Sequence, residues 1–202
     1  GHAVAASQLA ATERRAHRRY CEAVSAGAGH EDGWFEFMRQ WLLEVGIPAE
    51  QAPAGVAALR AEHDRFNLWR RPADGLSDAL SAVKAAGLKL GIVSNDQPAL
   101  ERLLRRISLR DPFDVVVDSG VEGIRKPDPA IFHRCCERLG VAPERCLYVG
   151  DNYEVDVLGA QAAGIGAVLM AAEPADVPAS GPDDWVVMAS VAEPVRQLLA
   201  TR

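Results

Sequence analysis

The 202-residue sequence holds no apolar run approaching the roughly 18 to 20 residues a membrane-spanning helix needs, and no basic-then-apolar leader opens it. Neither a membrane anchor nor secretion is therefore expected. Cysteine is sparse: Cys21, Cys135, Cys136 and Cys146 form no C-x-x-C pair and have no histidine at zinc spacing. That excludes a disulfide scaffold and leaves ordinary thiols in a reduced, cytoplasmic protein as the expectation. Positive charge is not in excess, with 28 acidic against 22 basic residues and a net charge of -6, which argues against a general nucleic-acid binder. The one basic run, Arg14, Arg15, His17, Arg18 and Arg19, reads as a solvated helix face beside Glu13 and Glu22. Aromatics make up only 6%. What the chain does have is 49% hydrophobic and 25% charged residues at a mean hydropathy of -0.05, the composition of a globular protein with a real core.

Two textures divide the chain. Trp34, Phe37, Met38, Trp41, Leu42 and Val45 recur three and four residues apart, which gathers them on one helical face until Gly46 and Pro48 stop the helix. A second helical stretch runs from about Glu50 to Trp69, and Arg71-Pro72-Ala73-Asp74-Gly75 then brings turn chemistry. Residues 5–70 read as a small helical module, with Trp34, Phe37 and Trp41 as its core. From residue 71 onward short apolar runs alternate with helical stretches: strands at Leu88 to Val93, Phe113 to Val117, Cys146 to Gly150, Ala167 to Met170 and Trp185 to Met188, and helices near Pro98 to Ile107, Pro129 to Leu139 and Val155 to Ala163. Asp128 with Pro129 behind it starts the middle helix and Gly140 ends it, while Ser190 and Glu193 have the capping-box spacing for a final helix. The alternation implies an α/β fold, a parallel sheet with helices on both faces.

In such a sheet the strand C-termini converge on one edge, and polar groups there are the first candidates for a site. Here Leu90-Gly91-Ile92-Val93 ends in Ser94-Asn95-Asp96, Val115-Val116-Val117 in Asp118-Ser119, and Leu147-Tyr148-Val149-Gly150 in Asp151-Asn152, with Asp156 five residues after Asp151. Arg125-Lys126-Pro127-Asp128-Pro129 stands between them. A hydroxyl, an amide and a lysine can hold phosphate oxygens, and carboxylates supply hard oxygen ligands for a divalent cation.

Three segments together, Gly91-Ile92-Val93-Ser94-Asn95, Arg125-Lys126-Pro127-Asp128-Pro129 followed by Ile131-Phe132, and Tyr148-Val149-Gly150-Asp151-Asn152 through Asp156 to Gly159-Ala160 and Ala163-Gly164, resemble motifs II, III and IV of the haloacid dehalogenase-like hydrolases. The resemblance implies a Rossmann-like core over residues 71–202 and an α-helical cap over residues 5–70. It implies that Ser94 binds the transferring phosphoryl group with help from Asn95, and that Lys126 neutralises the phosphate. It further implies that Asp151 holds Mg²⁺ and that Asp156 supports its loop or the metal shell. Asp151 makes the chain similar to the metal-dependent phosphatases more than to the dehalogenases, so a small phosphorylated metabolite is the expected substrate, with no nucleic-acid or membrane partner.

One motif has no counterpart. The family's motif I is a strand ending in Asp-x-Asp, whose first Asp attacks the substrate, and no such strand precedes Ser94. Asp32 sits in a turn-like Gly-rich stretch and Asp64 in a helical one. Lysine and Mg²⁺ stabilise charge without attacking, so these three motifs alone do not complete an aspartyl-phosphate route. The resemblance also implies that the motif I strand would be central, flanked by the strands of motifs II and IV. Without it, direct pairing of Leu88 to Val93 with Cys146 to Gly150 is expected, because buried orphan ladder groups cost several kcal/mol. The leading expectation is an N-terminally shortened hydrolase, inactive as it stands. The alternatives are a natural phosphate-binding pseudoenzyme and a dehalogenase-type hydrolase.

Each candidate also has a plain structural account. Ser94, Asn95 and Asp156 suit helix caps, and Asp128 is better read as the N-cap of its helix than as a ligand. Lysines such as Lys126 are generally solvated, and cysteines such as Cys135, Cys136 and Cys146 generally pack in cores. His17, His30, His63 and His133 lack partners at metal spacing. The joint occurrence of polar groups at strand ends favours a site.

Overall fold

The computed structural model describes residues 9, 12–13, 15–17, 19–20, 30–68, 70–95, 99–170, 187–188, 195 and 200. The chain divides into two compact units, Gly1–Trp69 and Arg70–Arg202.

In the first unit, α1 spans His30–Glu44 and α2 spans Ala52–Phe66, and the two pack on each other. The apolar stripe places Trp34, Phe37 and Met38 in a core with Ala16 and Val56. Gly46, at φ +90°, takes the chain out of α1 in the left-handed conformation that glycine adopts without Cβ strain. Asp32 lies inside the first turns of α1 and not in a turn, because burial of the stripe beginning at Trp34 outweighs the roughly 1 kcal/mol that Gly33 costs within a helix. Arg15 and Arg19 of the basic run reach Glu44 of α1, at 2.7 and 3.6 Å.

The second unit is α/β. Its elements are α3 (Leu76–Ala85), β1 (Gly91–Ser94), α4 (Leu100–Arg106), β2 (Val115–Asp118), α5 (Ser119–Glu122), α6 (Pro129–Leu139), β3 (Leu147–Gly150), a π-helical turn (Tyr153–Val157), α7 (Leu158–Ala162), β4 (Gly166–Met170) and β5 (Val187–Met188). Asp128 caps α6 by accepting from the Ala130 amide at 2.9 Å, and Gly140 ends the helix at φ +62°. The short α5 was not foreseen from the sequence. Asp118 creates it, accepting from the Gly120 amide at 2.9 Å while its other oxygen accepts from the Ala99 and Leu100 amides at the start of α4, at 3.2 and 3.0 Å. The motif IV helix begins as a π-helical turn before becoming regular, and the capping box at Ser190 and Glu193 lies outside the described residues.

All strand pairs are parallel, and residue alternation decides what covers each face. Val93, Val115 and Val117 face the core built on Ile131 and Phe132 of α6, whereas Ile92 and Val116 face Leu80, Leu100 and Leu104 of α3 and α4. Both faces of the β1–β2 ladder are thus covered by helices.

The strands among the described residues do not form one sheet. Their orders are β1–β2 and β3–β4–β5, and β1 does not pair with β3. This overturns the expectation of direct pairing. The penalty behind that expectation applies to edges sealed from water, and these are not sealed: Gly91 is exposed, Leu147 is 44% exposed, and Tyr148, Val149 and Gly150 are half-buried. The Val93 carbonyl, on the most buried residue of β1, faces the phenol of Tyr148 on β3 at 3.3 Å. Packing joins the two sheets as well, because the α6 core that holds Val93 and Val117 also takes in Tyr148, Cys146 and Ala167.

Phe132, 1% exposed, stands at the centre of that joint core, and its ring lies so near Gly159 that a Cβ there would sit 2.9 Å from it. Phe132→Ala is expected to cost about 3–5 kcal/mol, read as a lower urea midpoint at unchanged slope.

Candidate active site

Parallel pairing brings the C-terminal end of β1 beside that of β2, and the end of β3 beside that of β4. Ser94 closes β1, is half-buried, and its hydroxyl has no hydrogen-bond partner among the described residues. Asn95 is fully engaged. Its amide nitrogen donates to the Lys126 carbonyl and its amide oxygen accepts from the Lys126 backbone amide, both at 2.8 Å. A side chain that satisfies both backbone groups of one residue fixes where that residue lies, so Asn95 acts here on Lys126.

Lys126 is the centre of the site. Its ammonium donates to Asp156 Oδ1 at 2.6 Å and to Tyr148 Oη at 3.0 Å, and the lysine and aspartate side chains are only 11% and 5% exposed. Burial alone would depress the lysine, but the charge of Asp156 and the hydrogen bonds to Asp156 and Tyr148 outweigh it and hold the ammonium above its usual range. It is therefore charged throughout the neutral range. Tyr148 Oη accepts from Lys126 and has a single proton to give, with Asp156 Oδ1 at 3.2 Å and the Val93 carbonyl at 3.3 Å as acceptors. Burial first, and then the neighbouring carboxylate, push the phenol above its normal range, against the pull of Lys126. It stays neutral. Tyr148 was not singled out from the sequence, where its only signal was a polar tip in an otherwise apolar strand.

The loop after β3 is built around Asp156. Asp156 Oδ2 accepts from the Asn152 amide at 3.0 Å, and Asn152 Oδ1 accepts in turn from the Val155 amide at 3.0 Å. This reciprocal pair closes the π-helical turn in the manner of a capping box. Gly150 is required by proximity, since a Cβ there would fall onto the Asp156 carboxylate. Both oxygens of Asp156 thus accept from protein donors, Oδ1 from Lys126 and Tyr148 and Oδ2 from the Asn152 amide alone. Asp151 follows β3 and is exposed. No group of three His, Cys, Asp or Glu residues able to hold a metal ion occurs among the described residues.

The structure therefore joins Asn95, Lys126 and Asp156 through direct hydrogen bonds, with Ser94 next to Asn95 and Asp151 at the base of the Asp156 loop. Asp118, the other strand-end carboxylate, is spent on capping α4 and α5.

Breaking the buried pair from the acidic side strands a cation. Asp156→Ala is expected to lose about 3–5 kcal/mol at pH 7 by chemical denaturation. In the unsubstituted protein the lysine is raised, so its contribution is complete below the unfolded lysine value near 10.4 and declines only as pH rises through the higher folded value. In the variant the isolated ammonium is depressed, and the deficit should shrink as pH rises from 7 to 10. A deficit independent of pH would contradict the ion-pair account.

A family model described as haloacid dehalogenase-like hydrolase matches residues 3–164. The bovine haloacid dehalogenase-like hydrolase domain-containing protein 3 is 32% identical over 183 residues, covering 87% of this chain and 72% of its own length. The mouse protein of the same name is 34% identical over 76% of this chain, which spans 61% of that protein. A phosphoserine phosphatase from Thermus thermophilus is 37% identical over 64% of the chain and 51% of its own length. Among solved structures, a HAD hydrolase from Bacillus subtilis bound to magnesium superposes with a TM-score of 0.74 at 22% identity, over 98% of this chain and 85% of that one, which shows a shared fold. With the family model matched across most of its length, the chain belongs to the haloacid dehalogenase-like hydrolases.

Proposed function

We propose that this chain carries the phosphate-binding part of an Mg²⁺-dependent phosphatase site for a small phosphorylated metabolite, with the helical unit of residues 5–70 as the cap that selects the substrate. The observation that carries this reading is the buried Lys126 ammonium, held charged by Asp156, with its backbone fixed by Asn95, which follows Ser94, whose hydroxyl has no partner among the described residues. Relatives named phosphoserine phosphatase and glyceraldehyde 3-phosphate phosphatase support phosphate esters over haloacids as the substrate class.

In this reading Lys126 meets the phosphoryl oxygens as a fixed cation and the Ser94 hydroxyl donates to one of them. Asn95 and Tyr148 position the lysine. Asp151 suits Mg²⁺ by donor chemistry, because that ion commonly takes one or two carboxylates and fills its remaining positions with water and substrate phosphate. When bound, the ion would neutralise charge on the phosphoryl group. No Asp-x-Asp follows an apolar strand before Ser94 in these 202 residues, so the attacking carboxylate is not assigned to any of them.

Two measurements test this. By calorimetry with inorganic phosphate, Ser94→Ala is expected to weaken binding about fivefold and Lys126→Met about tenfold or more, the scale of a neutral and a charge-assisted hydrogen bond. Mg²⁺ should strengthen phosphate binding, and Asp151→Asn should remove that gain while leaving the melting temperature within a few degrees. Binding indifferent to Lys126 and Ser94 would overturn the site assignment. These 202 residues alone should hydrolyse no p-nitrophenyl phosphate, and measurable turnover would show that a nucleophile lies among them.

A further inference from the structure

Away from the phosphate site, α6 and β3 bring two thiols together. Cys136 Sγ lies 3.7 Å from Cys146 Sγ, and both thiols are free. We infer that Cys136 and Cys146 are an oxidisable dithiol, which a peroxide converts into a disulfide stapling α6 to the start of β3.

Geometry carries the inference. A disulfide needs its sulfurs at about 2.05 Å, so an approach of about 1.7 Å is required. Cys146 sits between the 3₁₀ turn Pro143–Arg145 and β3, and its thiol contacts the Ala142 carbonyl at 3.4 Å and Cys136 Sγ at 3.7 Å, so rotation of its side chain is the movement that would close the gap. Access is available as well. Cys146 is partly exposed, and Cys136 borders an open cleft of about 410 Å³ lined by His133, Glu137, Gly140, Val141 and Pro143. Cys135 is differently placed despite being adjacent in sequence. Its Sγ lies against Gly91 of β1, so close that a Cβ on that glycine would fall onto it.

The chemistry balances with hydrogen peroxide as oxidant. The partly exposed Cys146 thiolate attacks one peroxide oxygen, giving a sulfenic acid and, after protonation, water. Cys136 sulfur then displaces the sulfenic oxygen, the S–S bond forms, and the thiol proton leaves with a second water. Two electrons pass from the two sulfurs to the peroxide. Burial, followed by contact with Cys146, pushes the Cys136 thiol up to about 12, so it enters as the second, slower partner and keeps its proton until that step. The bond would join the far ends of two elements whose near ends reach the phosphate site: α6 starts just after Lys126, and β3 runs directly into Asp151.

The test treats the folded protein with hydrogen peroxide, alkylates remaining thiols after unfolding, and maps tryptic peptides by mass spectrometry. The expected product links Cys136 to Cys146 with a loss of about 2 Da, is restored by dithiothreitol, and melts a few degrees above the reduced protein. Trypsin leaves Cys135 and Cys136 in one peptide, so Cys135→Ser must retain the link, whereas Cys146→Ser must abolish it without lowering the melting temperature of the reduced protein by more than a few degrees. Full alkylation of Cys136 and Cys146 after oxidation, a link through Cys135 or Cys21, or sulfinic acid at Cys146 in place of the link would each overturn the inference.

Discussion

The buried ion pair between Lys126 and Asp156 is the constraint around which the second unit is arranged. Two charges removed from water are costly unless their remaining hydrogen-bonding capacity is met, and here groups from several segments meet part of it. Tyr148 contributes its phenol from β3, Asn95 clasps the lysine backbone from the end of β1, and the Asn152 amide takes the second aspartate oxygen. Gly150 is the corollary, because any larger residue would occupy the space of the carboxylate.

The same groups span the division between the two sheets. β1 and β3 share no backbone ladder, and side chains connect them instead: Tyr148 to the Val93 carbonyl, and Lys126 between Asn95 and Asp156. Family resemblance puts a central strand between the strands of motifs II and IV, and no such strand is among the described residues. Helix α6 compensates on one face, since Ile131 and Phe132 pack against residues of both sheets. Partial solvation of the two facing edges makes the arrangement physically acceptable.

Family membership and chemistry rest on different grounds. Membership follows from similarity across most of the chain, but fold alone does not confer a reaction. The proposed chemistry rests on Lys126, held charged by Asp156, and on the hydroxyl of Ser94, which precedes the Asn95 that clasps the lysine backbone. In that proposal the lysine meets the anion already charged, the kind of electrostatic stabilisation on which phosphoryl transfer draws.

Much of this was legible in the sequence. Helical periodicity marked α1, the Asp128–Pro129 start and Gly140 stop bounded α6, and polar residues after short apolar runs marked the strand ends, because each of these signals is local in the chain. Ser94, Asn95, Lys126, Asp151 and Asp156 could be named from motif spacing. What each side chain touches could not, since the groups that meet at Lys126 come from positions 95 to 156 and only folding brings them within 3.0 Å. Tertiary structure alone turned Asn95 onto the lysine backbone, occupied both oxygens of Asp156, recruited Tyr148 and spent Asp118 on helix caps. The sequence determined which chemistry-bearing residues lie at the ends of strands. Packing and hydrogen-bond satisfaction, which act between residues far apart in the chain, decided which of them pair with one another and which keep a group for a ligand.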